Sequence, residues 1–170
     1  MTLNPRTAFF DSIAEKWDGW EDLAVLQRKL AAGLEEFGVG PNEKVVDVGC
    51  GTGNLTGALL GRLSAAGEVF AVDISPRMLE VARSKVADPR VSWHAADAVR
   101  LPLGDASCDR VFCYSVWPHF ADRETVAAEL RIHTTGDKRR TCAQKVHLGF
   151  FGKIPNNTQI RITGTSVIED

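Results

Sequence analysis

The residues of this chain whose types and spacing bear most directly on chemistry are three glycines and three acids. Gly49, Gly51 and Gly53 stand at every second position in VVDVGCGTGN, directly after a β-branched run and directly before a helical pattern. Glycine lets backbone approach a ligand with no Cβ in the way, and it accepts positive φ. The helix start at Asn54 offers unpaired N–H groups to negative charge. A dinucleotide pyrophosphate favours GxGxxG, whereas here the third glycine comes one residue early. Asp47, two residues before Gly49, would repel a pyrophosphate but suits a ligand carrying an ammonium group. Loop and acid together favour a nucleoside joined to an amino acid over a nicotinamide dinucleotide.

Asp73 ends the next apolar run, in VFAVDIS. A carboxylate at such a strand end can accept hydrogen bonds from both hydroxyls of a ribose. Asp97 follows a third run, in HAADAVRLP, and His119 lies beyond a fourth, in SVWPHFAD. His119 reads as a general base by its chemistry or, equally, as a brace for its loop. Cys113 is expected to be packed and not nucleophilic.

The elements that must position these residues follow from periodicity. Leu23, Leu26, Leu30, Leu34 and Phe37 mark one helical face, stopped by Gly38. Lys44 to Val48 reads as a buried strand, continuous in apolar character as parallel strands are. Leu55, Leu59, Leu60 and Leu63 make a second helical stripe. A strand over Glu68 to Val72 ends at Asp73, and Ser75-Pro76 caps a helix carrying Met78, Leu79, Ala82 and Val86. Val91 to His94 and Asp109 to Tyr114 read as strands three and four, and Asp122 to Ile132 as a helix with acids at its positive end. Four strand–helix alternations predict a parallel sheet covered on both faces.

The bulk numbers agree with a single globular domain. The chain has 170 residues, 44% of them hydrophobic and 25% charged, with a net charge of −2. That charge offers no basic field for nucleic acid. No apolar run is long enough for a membrane span, and the N-terminus lacks a signal-peptide pattern. The four cysteines have no paired or zinc-ligand spacing, so a reduced, cytoplasmic setting is expected for a monomer or homodimer.

On VVDVGCGTGNLT the chain resembles the class I S-adenosylmethionine-dependent methyltransferases, over roughly Phe10 to Ile132. The resemblance implies an α/β, Rossmann-like, doubly wound and mostly parallel sheet of the seven-stranded methyltransferase type. It implies S-adenosyl-L-methionine as cofactor and a small-molecule acceptor. Gly49, Gly51 and Gly53, with Cys50 and Asn54, would hold the methionine part, and Asp47 its amino end. Asp73 would take the ribose, Ile74 and Met78 would pack on the adenine, and Asp97 with the Ala98 N–H would hold the adenine edge. Cys113, Tyr114 and Ser115 would bring backbone against the methionine part.

FFDSIAEKWDGW resembles the segment preceding the core in ubiquinone and menaquinone C-methyltransferases, where it covers the cofactor. Trp17-Asp18 stands here where that family usually has Tyr-Asp. Trp17, Trp20, Trp117 and Phe120 are candidates to line an apolar or aromatic acceptor pocket. The expected organisation is one domain: a helical cap over 1–40, a cofactor-binding core over 41–132 and an atypical tail over 133–170. After AAELRI the family continues with a Pro-Gly-Gly type of turn, but this chain has HTTGDKRRTC. The tail is therefore expected to leave the sheet incomplete at its C-terminal edge. Lys145 to Phe151 and Thr158 to Ile168 are expected as strands, hairpin-linked through Pro155-Asn156-Asn157. A shortened closure or a changed reading frame would explain the break, and a cofactor-binding protein without catalysis is the alternative function.

Overall fold

The computed structural model describes residues 4–134, together with the backbone of three short strands beyond them. Helix α1 (Pro5–Ile13) runs into a 3-10 segment (Ala14–Trp20), and α2 (Leu23–Glu36) follows. The core then alternates β1 (Lys44–Val48), α3 (Asn54–Leu60), β2 (Glu68–Asp73), α4 (Pro76–Lys85), β3 (Val91–Ala95), β4 (Arg110–Phe112) and α5 (Arg123–His133). The three further strands are β5 (Val146–His147), β6 (Ile160–Thr163) and β7 (Ser166–Glu169).

The sheet order is β3-β2-β1-β4-β5-β6-β7; β1 to β5 are parallel, and β6 and β7 join antiparallel. The chain therefore winds outward from β1 to β3, then jumps back to start again at β4 on the other side of β1. That reversal opens a crevice at the carboxyl ends of β1 and β4, where open α/β sheets hold ligands.

Strand periodicity explains how the sheet is covered. Val46, Val48, Val111 and Cys113 point to one face, under Val126, Ala127 and Leu130 of α5. Val45, Val69 and Phe112 point to the other, under Leu26, Leu30 and Leu34 of α2 and Leu55 and Leu59 of α3. Asp22 caps α2 by accepting from the N–H groups of Ala24 and Val25. Ser75 caps α4, as the sequence pattern predicts, and Asp122, read from the sequence as the first helical residue, caps α5. Gly38 ends α2 with φ +62°, a conformation that favours glycine.

Three expectations need correction. The fourth strand is Arg110–Phe112 and not Asp109 to Tyr114, because the chain turns through Ser115 at φ 55° to lay its next loop over the glycine loop. The second helical stripe ends at Leu60, and Leu63 is buried just beyond it. Thr158 to Ile168 is not one strand, since β6 and β7 share it as an antiparallel pair with Thr163 opposite Ser166. The Pro155-Asn157 turn, and most of the edge expected to be incomplete, lie outside the described residues.

Arg110 locks α2 to the sheet. Its guanidinium donates to both Glu43 carboxylate oxygens at 2.7 Å and to the carbonyls of Phe37 and Gly38 at the end of α2. Arg110→Met would strand Glu43 and those carbonyls, so unfolding free energy from urea titration is expected to fall by about 3 kcal/mol. A variant as stable as the parent would show that this ion pair contributes nothing to the fold.

Candidate functional site

A cavity of about 430 Å³ opens at the carboxyl ends of β1, β2 and β4. The glycine loop forms its floor, and the N-terminal segment forms a wall across it. Gly49 (φ +69°) lies so close to the loop after β4 that a Cβ would sit 2.2 Å from Val116 Cγ2. The N–H groups of Gly49 and Cys50 donate to the Val72 carbonyl, which holds the loop to the end of β2. Gly51 (φ +53°) lines the cavity, and a Cβ there would meet nothing within 4 Å. Gly53 faces away: its Cβ would meet Ala82 and Trp93, so it serves the packing of α4 and β3 against the loop and does not line the cavity.

The acids expected from the sequence converge here. Asp47 is buried; its Oδ2 accepts from the Thr56 hydroxyl at 2.7 Å, and its Oδ1 has no partner. Burial pushes its pKa up to about 7, opposed by the Thr56 hydroxyl and reinforced by the Asp73 charge. Asp73 Oδ2 accepts from Gly51 N at 2.8 Å and Oδ1 from Ser75 N at 2.9 Å. Burial also raises the Asp73 pKa, against those N–H donors. Each Asp73 oxygen keeps a second lone pair for a ligand. Asp97 lines the cavity beside Ala98, and Ile74, Met78, Cys50, Asn54 and Tyr114 line it too. Burial, followed by the Glu21 charge, raises the Tyr114 pKa.

Besides Gly53, the side chains of two sequence candidates lie away from the cavity. Cys113 is buried in the cluster under α5, because strand alternation turns it from the cleft, and burial raises its thiol pKa. Trp117 is buried in the same cluster, so Trp17, Trp20 and Phe120 line the cavity without it. His119 lines the cavity from the loop after β4, with its ring edge-on to Phe10 at 5.4 Å.

The sequence reading missed how the N-terminal segment is fastened. Asp11 Oδ1 accepts from the Ser75 hydroxyl at 2.5 Å and from Arg77 N, so it caps α4 from another element. Glu15 pairs with Arg77. Asp18 accepts from Thr52 Oγ1 at 2.6 Å and Asn54 Nδ2 at 2.9 Å, and pairs with Lys85. Burial disfavours the Asp18 charge, yet Lys85, Thr52 and Asn54 together hold its pKa below the usual value. Arg6 reaches Asp97 and the His119 carbonyl. Only Asp18 carried a sequence signal, through the Trp17-Asp18 pair; the other ties join residues too distant in sequence for spacing to show.

A parallel sheet with a strand-order reversal, a glycine loop and an acid at each of three neighbouring strand ends defines a Rossmann-like nucleoside-binding protein. The family model "Methyltransferase domain" matches residues 45–135, more than half of the chain, and the chain belongs to that family. S-adenosylmethionine is accordingly its cofactor. The chain is 35% identical over 122 residues to the O-methyltransferase cnsE of Penicillium expansum, covering 65% of this chain and 44% of that protein. It is 35% identical over 109 residues to a demethylmenaquinone methyltransferase of Staphylococcus aureus, covering 60% and 44%. It thus spans less than half the length of these curated relatives. A crystal structure of a SAM-dependent methyltransferase from Aquifex aeolicus superposes with a TM-score of 0.65 over 71% of this chain and 66% of that one, at 23% identity, which bears on the fold alone.

The site fits that cofactor. The orphaned Asp47 oxygen asks for a buried donor such as an ammonium group, and the space beside Gly51 admits a ligand where any side chain would intrude.

Two tests follow. Gly51→Ala would cost about 1–2 kcal/mol of backbone strain and put a methyl group into the cavity; the variant is expected to fold but lose cofactor affinity in calorimetry. Gly49→Ala is expected to lose the fold as well, given the Val116 clash. The second test concerns pH. Folded Asp47 keeps its proton up to about pH 7, whereas an unfolded aspartate loses it near 3.8. Between those values the native state binds the extra proton, so this group's contribution to stability falls as pH rises and levels off above about 7. Asp47→Asn is expected to flatten that slope in urea titrations from pH 4 to 8, leaving the part due to Asp73. An unchanged slope would show that Asp47 ionises normally.

Proposed function

We propose that this chain transfers a methyl group from S-adenosylmethionine to a small apolar or aromatic acceptor. The observation that carries this reading is a single cavity with two chemically different halves. One half is glycine backbone and strand-end carboxylates; the other is aromatic, with Phe10, Trp17, Trp20 and Phe120 beside His119.

When bound, the cofactor supplies an activated sulfonium methyl, so the protein's part is alignment and exclusion of water. Asp73 holds the ribose diol with the lone pairs that Gly51 and Ser75 leave free. Asp97 and the Ala98 N–H hold the adenine edge, and Ile74 and Met78 pack on its ring. Asp47 receives the ammonium group through its unpartnered oxygen and releases its own proton as it does so. Cys50, Gly51, Asn54 and Tyr114 bound the amino-acid end. The aromatic half holds the acceptor, and His119 takes its proton. Residues 1–40 act as a cap over the core of 41–132, fastened at Asp11, Glu15 and Asp18.

Calorimetry with S-adenosylmethionine tests the first half. Asp73→Ala removes two charge-assisted hydrogen bonds, an expected loss of about 100-fold in affinity; equal binding by the variant would remove Asp73 from the site. Methyl transfer to a panel of aromatic hydroxy compounds tests the second half. His119→Gln is expected to bind cofactor normally while turnover falls about 100-fold. Full turnover by that variant would remove His119 from catalysis.

A further inference from the structure

We propose that Arg6 is the residue that recognises the acceptor, and that it selects a flat aromatic molecule carrying an anionic oxygen, a carboxylate or an ionised phenol. The proposal rests on the reading that Asp97 holds the adenine edge. Arg6 is the only Lys or Arg among the described residues that line the cavity. Its Nη2 lies 3.4 Å from Asp97 Oδ2, and its Nη1 donates to the His119 carbonyl at 3.1 Å. The first contact is long for a charge-assisted hydrogen bond. Both side chains are about one-third exposed, where ion pairs are weak.

Arg6 and the adenine amino group therefore share the Asp97 carboxylate, whose Oδ1 also accepts from Val99 N at 3.3 Å. An amine seated there draws on the same carboxylate and loosens its hold on Arg6, whose guanidinium is a fork of five N–H donors and spends only one on Asp97 and one on the His119 carbonyl. Such a fork matches a carboxylate in both spacing and charge. Bound cofactor thus strengthens the anion site, so an anionic acceptor binds more tightly after the cofactor than before it.

The surroundings set the rest of the acceptor's shape. Arg6 and Phe10 are four residues apart on α1 and share one face. The Phe10 ring meets His119 edge-on at 5.4 Å and Trp17 at 6.1 Å. A planar ring against Phe10 and Trp17 would direct an acidic oxygen toward Arg6, beside His119. Among the acids nearby, Asp97 offsets the cation in part across its 3.4 Å contact, whereas Asp18 is engaged by Lys85, Thr52 and Asn54, and Glu21 bears on Tyr114.

Benzoate and benzylamine serve as probes, titrated by tryptophan fluorescence with and without saturating S-adenosylhomocysteine. Benzoate is expected to bind the loaded wild-type protein at least tenfold tighter than the free protein. Arg6→Met should lose that binding while holding S-adenosylhomocysteine as well as or better than wild type, and Arg6→Lys should fall between. Benzoate affinity unchanged in Arg6→Met, no benzoate binding to the loaded protein, or benzylamine binding as tightly would each overturn the proposal. Asp97→Asn separates the two layers. S-adenosylhomocysteine affinity unchanged in that variant would remove Asp97 from the adenine site, and the Arg6 dependence of benzoate binding is read independently of it.

Discussion

The site depends on one steric constraint: the loop after β1 must touch the loop after β4 with room for only a hydrogen atom between them. Gly49 supplies that hydrogen, and a Cβ there would sit 2.2 Å from Val116 Cγ2, far inside van der Waals contact. The contact closes the floor of the crevice that the strand-order reversal opens. Positive φ at Gly49, Gly51 and Gly53 then bends the chain back so that α3 starts pointing at the crevice. Between them the three glycines divide the work: one for contact between loops, one for space beside a ligand and one for packing against α4.

Electrostatics explains why such a floor stays poised for a cationic ligand. Asp47 and Asp73 are both buried, and the Asp73 charge raises the Asp47 pKa beyond the effect of burial, so the fold carries these acids at a cost. Asp73 recovers part of that cost from two backbone N–H groups, whereas Asp47 has one hydroxyl and one oxygen without a partner. A sulfonium and an ammonium group on one ligand answer that arrangement better than a pyrophosphate could. The N-terminal segment completes the enclosure. Its ties reach the glycine loop through Asp18, the start of α4 through Asp11, and the Asp97 loop through Arg6.

Much of this was legible in the sequence because its signals are local. The run VVDVGCGTGN places a strand, three positive-φ positions and a helix start within ten residues, and β1 runs over Lys44–Val48 as read. The cap at Ser75 sets the start of α4 by short side-chain reach, so it too is local. Cys113 is packed as expected, but Trp117 was misplaced, because whether a residue near a strand end faces cleft or core depends on where the strand stops. That point was set by Ser115, whose positive φ no local rule anticipates. The Arg6–Asp97, Asp11–Ser75 and Asp18–Lys85 ties link elements far apart in sequence, so only the fold could reveal them. The strands after Ile132 were partly legible as segments, but not in their division into β6 and β7.

Crystals grown with S-adenosylhomocysteine would test the central claim most directly. The ligand should lie across the ends of β1 and β2, with its ribose hydroxyls on Asp73, its adenine edge at Asp97 and its amino group facing Asp47. A cleft that stays empty at saturating ligand, or a ligand whose ribose lies away from Asp73, would contradict it.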